Sequence, residues 1–116
     1  MLLGICFLAL SSTFTEAGTD CSVGVRCKLV GTAVIYPRAD GEDATLEVGD
    51  KCFALALPED SYEDIKSRWN GRRVTVEGLA YRQPEGNFLY YKIRGRQVST
   101  GCRGLGILLI KLDGAT

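Results

Sequence analysis

The sequence predicts one mainly β domain, a five-stranded barrel with a single helix between its third and fourth strands. The first observation is a period-two alternation of apolar and polar residues, which recurs in separate segments and is typical of half-buried strands. The second is a single segment with helical periodicity in the middle of the chain. The third is size, because 116 residues, 46% of them hydrophobic, suffice for one domain with a real core.

The first strand is predicted over residues 25–36, where the alternation is longest. Gly31, in its middle, predicts a bend or bulge such as occurs at the corner of a barrel. The side chains that share the face expected to point inwards are those of Cys27, Leu29, Gly31, Ala33 and Ile35.

Two shorter strands are predicted at residues 44–48 and 52–57. Gly49-Asp50 between them is a plausible two-residue hairpin turn. Pro58 cannot donate to a sheet ladder, so the third strand is expected to end there.

A helix is predicted over residues 59–70, with Ser61 and Asp64 at the spacing of a capping box. Acidic residues lie at its start and basic residues at its end, which matches the helix dipole. Asn70-Gly71 is expected to end it. One apolar stripe, expected to pack on the core, is formed by Tyr62, Ile65 and Trp69.

Alternation returns at residues 73–82 and 88–98, which are predicted as the fourth and fifth strands. Pro84 and Gly86 predict a turn between them. Residues 105–112 form a last apolar segment, predicted as an extra C-terminal strand.

The element order resembles the oligonucleotide/oligosaccharide-binding (OB) fold, a Greek-key barrel whose helix lies between the third and fourth strands. The resemblance covers residues 25–99, and residues 70–80, NGRRVTVEGLA, look like the fourth strand of small OB-fold proteins. The chain is thus similar to a family of small exported bacterial OB-fold proteins of unassigned function. Because one fold hosts many functions, the resemblance predicts the architecture and leaves the ligand open.

Residues 1–18 are predicted to be a signal peptide, followed by a single domain at residues 19–116. Leu2 to Leu10 form an apolar run that is too short to span a bilayer, and Thr15-Glu16-Ala17 offers small residues for a signal peptidase. The alternative is a buried N-terminal strand or helix. Cleavage predicts a periplasmic or secreted protein whose mature chain has no transmembrane helix.

Removal of the signal peptide would leave four of the five cysteines, and an even number in a small exported domain predicts two disulfides. Four cysteines allow three pairings; in the predicted meander Cys27 and Cys52 lie at the same end, so we expect Cys27–Cys52 and, by exclusion, Cys21–Cys102. Zinc is the rival explanation, but the sequence has no Cys-x-x-Cys pair and no histidine. Neither a metal nor a cofactor is therefore expected.

The charges sum to zero but are unevenly distributed along the chain. Residues 20–64 contain ten acids and four bases, whereas residues 65–116 contain ten bases and three acids. This asymmetry predicts a basic face, unless folding mixes the two halves in space.

Basic and aromatic residues alternate around the hairpin expected between the fourth and fifth strands, a pattern typical of polyanion binding. The expected ligand is a polyanionic glycan, a lipid head group, or an acidic envelope or extracellular partner; nucleic acid is not expected, since an exported protein rarely meets it. The alternative is a solvated hairpin without a ligand. The candidate binding residues are Tyr81, Arg82, Phe88, Tyr90, Lys92, Arg94 and Arg96.

The function predicted from these features is that of a non-enzymatic binding module. The absence of histidine removes the commonest general base, and no catalytic residues are expected. The alternative is a protein-interaction or inhibitor domain without a small-molecule ligand. An inhibitor that uses an N-terminal Cys21 would require cleavage after Asp20, a poor cleavage residue.

Overall fold

The structure is a computed structural model that describes residues 21–38, 41–86, 90–102 and 104–114. The predicted signal peptide and Phe88 lie outside the described residues. The elements in chain order are β1 (Arg26–Arg38), β2 (Gly41–Val48), β3 (Lys51–Ala56), a 3₁₀ turn (Glu59–Ser61), α1 (Tyr62–Trp69), β4 (Arg73–Arg82), β5 (Tyr90–Ile93), β6 (Arg96–Ser99) and β7 (Leu105–Gly114).

Five strands close into a barrel in the order β1-β2-β3-β7-β4, with β4 pairing back to β1. The β3–β7 pair is parallel, whereas the other described barrel pairs are antiparallel. Helix α1 connects the third barrel strand, β3, to the fourth, β4. The predicted mainly β, five-stranded barrel with one helix at this position is confirmed.

The prediction for the fifth barrel strand was wrong, because β7 closes the barrel instead of residues 88–98. That segment turns back on itself at Arg94 and Gly95, whose φ angles are 50° and 79°. Two consecutive positive φ angles make a two-residue hairpin turn that matches strand twist. Strands β5 and β6 consequently form a separate two-stranded sheet, inserted between β4 and β7.

The barrel interior holds the larger core, and the predicted inward face of β1 is confirmed as part of it. Gly31 lies where β1 passes from its pairing with β4 to its pairing with β2. A Cβ atom at Gly31 would collide with the backbone carbonyl of Glu47 on β2. Glycine is therefore required for the close approach of β1 and β2 at this corner.

A second, smaller core lies on the outer face of the barrel. Ala54 and Ala56 on β3 and Leu108 on β7 are buried there together with Val98 of the inserted hairpin. Strand β3 carries side chains of both cores alternately, because successive residues point to opposite faces. The β5–β6 hairpin thus covers one side of the barrel.

Helix α1 covers the barrel core with the predicted apolar stripe, in which Ile65 is buried and Tyr62 and Trp69 pack beside it. The expected capping box is not formed. Ser61 ends the 3₁₀ turn, and its hydroxyl donates to Asp60 Oδ1 at 3.2 Å. After the helix, Asn70 Oδ1 accepts a hydrogen bond of 2.7 Å from the backbone N–H of Ile35 on β1.

Two disulfides are present, as predicted, but the predicted pairing Cys27–Cys52 and Cys21–Cys102 was wrong. The bonds are Cys21–Cys27 and Cys52–Cys102, with Cα separations of 5.5 and 5.6 Å.

The register of β1 explains why Cys27 does not bond with Cys52. Cys52 on β3 lies opposite Glu47 on β2, and Glu47 lies opposite Thr32 on β1. Thr32 is five residues from Cys27 along β1, which corresponds to about 17 Å. Cys27 also belongs to the interior core, whereas Cys52 precedes the inward-facing Phe53 and points to the outer face. Cys52 is consequently placed to bond with Cys102, which follows the hairpin on that face.

Within the described part of the chain, none of the helices combines the length and the apolar character needed to cross a membrane.

Candidate functional site

The inserted hairpin is held against the barrel by hydrogen bonds as well as by its apolar side chains. Arg96 Nη1 donates to the backbone carbonyls of Ala56 and Leu109, each at 2.9 Å. These carbonyls belong to β3 and β7 near the end of their parallel pairing. Arg96, a predicted ligand residue, is therefore bonded to the barrel.

A tyrosine pair joins β4 to the hairpin. The hydroxyls of Tyr81 and Tyr91 are 2.9 Å apart, and the rings pack edge to face with centroids separated by 6.2 Å. Burial raises the pKa of Tyr81 well above its usual value, and the hydrogen bond to Tyr91 raises it further. Burial also raises the pKa of Tyr91, although its hydrogen bond with Tyr81 opposes that rise. Both hydroxyls stay neutral near pH 7.

A buried polar contact fixes the base of the hairpin. The hydroxyl of Ser99 on β6 donates to Asp43 Oδ1 on β2, and both residues are buried. Tyr90 is the backbone partner of Ser99, and its hydroxyl is buried with no hydrogen-bond partner among the described residues. The residue as a whole is half-buried.

Three of the predicted cations remain exposed: Arg82 at the end of β4, Lys92 on β5 and Arg94 at the hairpin tip. In the described ranges, none of the three lies within ion-pair distance of a carboxylate. By contrast, Arg68 lies 3.1 Å from Asp64 on the helix. Among the described residues, the hairpin side of the barrel thus carries three exposed cations that form no ion pair.

The cations border two depressions. A groove of about 240 Å³ near the hairpin tip brings the predicted residues Tyr81 and Arg94 together with Leu79, Ile93 and Leu108. Gly24 also contributes to it, and the neighbouring Val23 and Val25 are each 48% exposed. The floor of this groove is apolar and its rim carries one cation.

The second depression is a cleft of about 200 Å³, where the segment after β4 meets the segment before β7. We call it the Gln83 cleft; it is lined by Arg82, Gln83, Pro84, Glu85, Gly86, Thr100 and Gly104. Gln83 is 8% exposed, and its side-chain Nε2 has no hydrogen-bond partner in the described part of the protein. Sequence reasoning assigned this glutamine to a turn and missed it, because neither periodicity nor spacing marks a buried amide.

The described residues contain no group of three or more His, Cys, Asp or Glu side chains arranged to hold a metal ion. Comparison with protein-family models, with curated proteins and with solved structures found no match for this chain. The groups that the site offers are hydrogen-bond donors and cations around the hairpin. Such groups suit the recognition of negatively charged oxygen atoms.

Proposed function

We propose that the chain is an exported, non-enzymatic binding module whose hairpin side binds a polyanion. The observation that carries the proposal is the exposure of Arg82, Lys92 and Arg94 without ion-pair partners among the described residues. A charge that is already paired must give up its partner to bind a ligand, whereas these three need not. The barrel presents Arg82 at the end of β4, and the inserted hairpin presents Lys92 and Arg94.

Export is supported by the disulfides, since such bonds persist in oxidising compartments. Catalysis is disfavoured by the same bonds, because they occupy Cys21, Cys27, Cys52 and Cys102 and leave no free thiol among the described residues. The sequence also contains no histidine to act as a general base. Binding is the function that the remaining groups support.

The proposal is tested by retention on heparin and by titration with a heparin oligosaccharide at several salt concentrations. We expect affinity to fall with salt, because bound cations release counterions from the polyanion. Lys92→Glu and Arg94→Glu should each weaken binding several-fold at low salt and reduce the salt dependence.

Arg73→Glu is the matched control for Arg82→Glu. The two arginines lie at opposite ends of β4, about 30 Å apart, and both are exposed. The two substitutions change the net charge by the same amount. A difference in heparin retention between them therefore reports the position of the charge on the protein. Equal effects of the two substitutions, or retention unaffected by Lys92→Glu and Arg94→Glu, would leave these cations as solvated surface.

A second candidate, a protein-interaction domain, is favoured by the apolar groove near the hairpin tip. Exposed Val23 and Val25 beside it, with Arg94 at its rim, suit an apolar partner side chain followed by an acidic one. This candidate predicts heparin retention that does not depend on Arg82 or Lys92, so the same experiment separates the two functions.

A further inference from the structure

The Gln83 cleft is formed by two connections that are distant in sequence and tied to each other. The backbone N–H of Gln83 donates to the carbonyl of Gly104 at 3.0 Å. The cleft has a volume of about 200 Å³. A compact polar group such as a carboxylate or a sulfate fits within it.

The amide of Gln83 gives the cleft its chemical preference. The residue is 92% buried, and Nε2 has no acceptor within the described ranges. Nearly all buried polar groups in proteins are hydrogen-bonded, and burying such a donor without an acceptor is unfavourable. A donor kept in this state favours a ligand that presents an oxygen acceptor.

Arg82 adds a positive charge to the wall of the same cleft. Glu85 also lines the cleft, but no ion pair joins it to Arg82. The guanidinium therefore remains available to a ligand, while the carboxylate opposes an anion. Amide and guanidinium donors together select an oxyanion.

We propose that the Gln83 cleft binds one oxyanion group, a carboxylate or a sulfate, of the polyanion. The guanidinium of Arg82 neutralises the charge of that group. Gln83 Nε2 is shielded from solvent in this structure, so it donates to one oxygen of the group after the side-chain amide rotates towards the cleft. This inference rests on the proposed function and adds a specific contact to the general attraction of the hairpin side. Carboxylate and sulfate share this chemistry and are separated by the choice of probe.

The test compares Gln83→Met with Gln97→Met, because the sequence contains only these two glutamines. Gln97 lies on β6, outside the residues that line the cleft. We expect Gln83→Met to weaken heparin binding about tenfold, the loss of one hydrogen bond to a charged group, and Gln97→Met to have little effect. The slope of affinity against salt should not change, since no cation is lost.

Three further measurements separate a ligand contact from a structural role. The melting temperature of Gln83→Met should not fall, because the deleted donor had no partner. Glu85→Gln should raise the affinity, because it removes the opposing charge. In an NMR titration with heparin oligosaccharide, the side-chain amide resonance of Gln83 should shift.

Dextran sulfate and polygalacturonate identify the group. An effect of Gln83→Met with dextran sulfate alone assigns a sulfate, an effect with polygalacturonate alone assigns a carboxylate, and each supports the inference. Heparin binding by Gln83→Met equal to that of the wild type, a lowered melting temperature, or weaker binding by Glu85→Gln overturns it and leaves the proposed function standing. Failure of the wild-type protein to bind any of the three polyanions overturns both.

Discussion

Some polar side chains of the hairpin bond to the barrel, and others are exposed to solvent. Arg96 and Tyr91 reach the barrel, where they hydrogen-bond to backbone carbonyls and to Tyr81. Lys92 and Arg94, only one to four residues away, are exposed. Alternation along β5 separates Tyr91 from Lys92, since neighbouring residues of a strand face opposite sides, whereas Arg94 is exposed because it lies in the turn. A count of basic residues around the hairpin therefore overstates the charge available to a ligand.

The tyrosine pair predicts sensitivity to alkali. In the unfolded chain a tyrosine ionises near pH 10, whereas burial keeps the pKa of Tyr81 and Tyr91 above that value in the fold. Above about pH 10 the unfolded state binds fewer protons than the folded state, so the free energy of unfolding falls as pH rises. Below pH 10 this contribution is fully present.

Tyr91→Phe removes one of the two ionisable hydroxyls. The free energy of unfolding of this variant should therefore fall less steeply above pH 10 than that of the wild type. Urea unfolding between pH 8 and 11 measures both slopes. At pH 8 the variant should be less stable by about 1 kcal/mol, the worth of a typical hydrogen bond. Identical slopes for the two proteins would contradict a tyrosine pair held neutral by burial.

At the scale of the element, the β5–β6 hairpin depends on the barrel because a two-stranded sheet is marginal by itself. Val98 supplies the apolar contact to Ala54, Ala56 and Leu108, and Arg96 supplies the bonds to the barrel carbonyls. Fixing the hairpin in this way reduces the entropy that a ligand would have to remove on binding.

Arg96→Met should destabilise the protein by about 1–3 kcal/mol, because it leaves the carbonyls of Ala56 and Leu109 without their charged donor. Lys92→Met is the control on the same hairpin; it removes an exposed cation and should cost under about 0.5 kcal/mol. Denaturant unfolding measures both. Equal stabilities of the two variants would show that the apolar contacts alone hold the hairpin.

Comparison of the strands shows which sequence patterns were sufficient to predict them. Strand β4 was predicted with its observed bounds, and the inward face of β1 was correct, because alternation and burial coincide in both. Residues 88–98 also alternate, but the pattern continues through Arg94-Gly95, where the chain reverses. The apolar run from Leu105 is that of a strand covered on both faces, which is typical of parallel pairing. The turn at Arg94-Gly95 and the apolar run from Leu105, considered together, would have predicted β7 as the last barrel strand.

The candidate site was less predictable than the barrel. Exposure of Lys92 follows from alternation and that of Arg94 from its place in the turn, whereas the bonds of Arg96 depend on where the hairpin lies on the barrel. Burial of Gln83 depends on the meeting of two connections about twenty residues apart. Such long-range contacts leave no local pattern in the sequence.

At the scale of the molecule, the two disulfides constrain the chain unequally. Cys21–Cys27 closes a loop with a sequence separation of 6, whereas Cys52–Cys102 spans 50 residues and joins the outer face of β3 to the segment after the hairpin. From loop entropy, the first is worth roughly 2 kcal/mol and the second roughly 4 kcal/mol. The longer bond also restrains the inserted hairpin.

Replacing both members of each pair with alanine should therefore lower stability more for Cys52/Cys102 than for Cys21/Cys27, by roughly 2 kcal/mol. Thermal unfolding of the two double variants under identical conditions measures the difference. Amide hydrogen exchange in β5 and β6 should accelerate only when Cys52 and Cys102 are replaced. A larger loss from the Cys21/Cys27 variant would contradict this ranking.

The parallel pairing of β3 with β7 also constrains the order in which the protein can fold. Strand β7 is the last described element, yet it fills the gap between β3 and β4. During synthesis, β1 to β4 emerge with two unpaired strand edges, which β7 covers only after the hairpin has been made. Contacts this distant in sequence are typical of slow folding, and open edges are templates for association with other chains. Cys52 likewise has no partner until Cys102 emerges, so barrel closure and the second disulfide both wait for the segment that follows the hairpin.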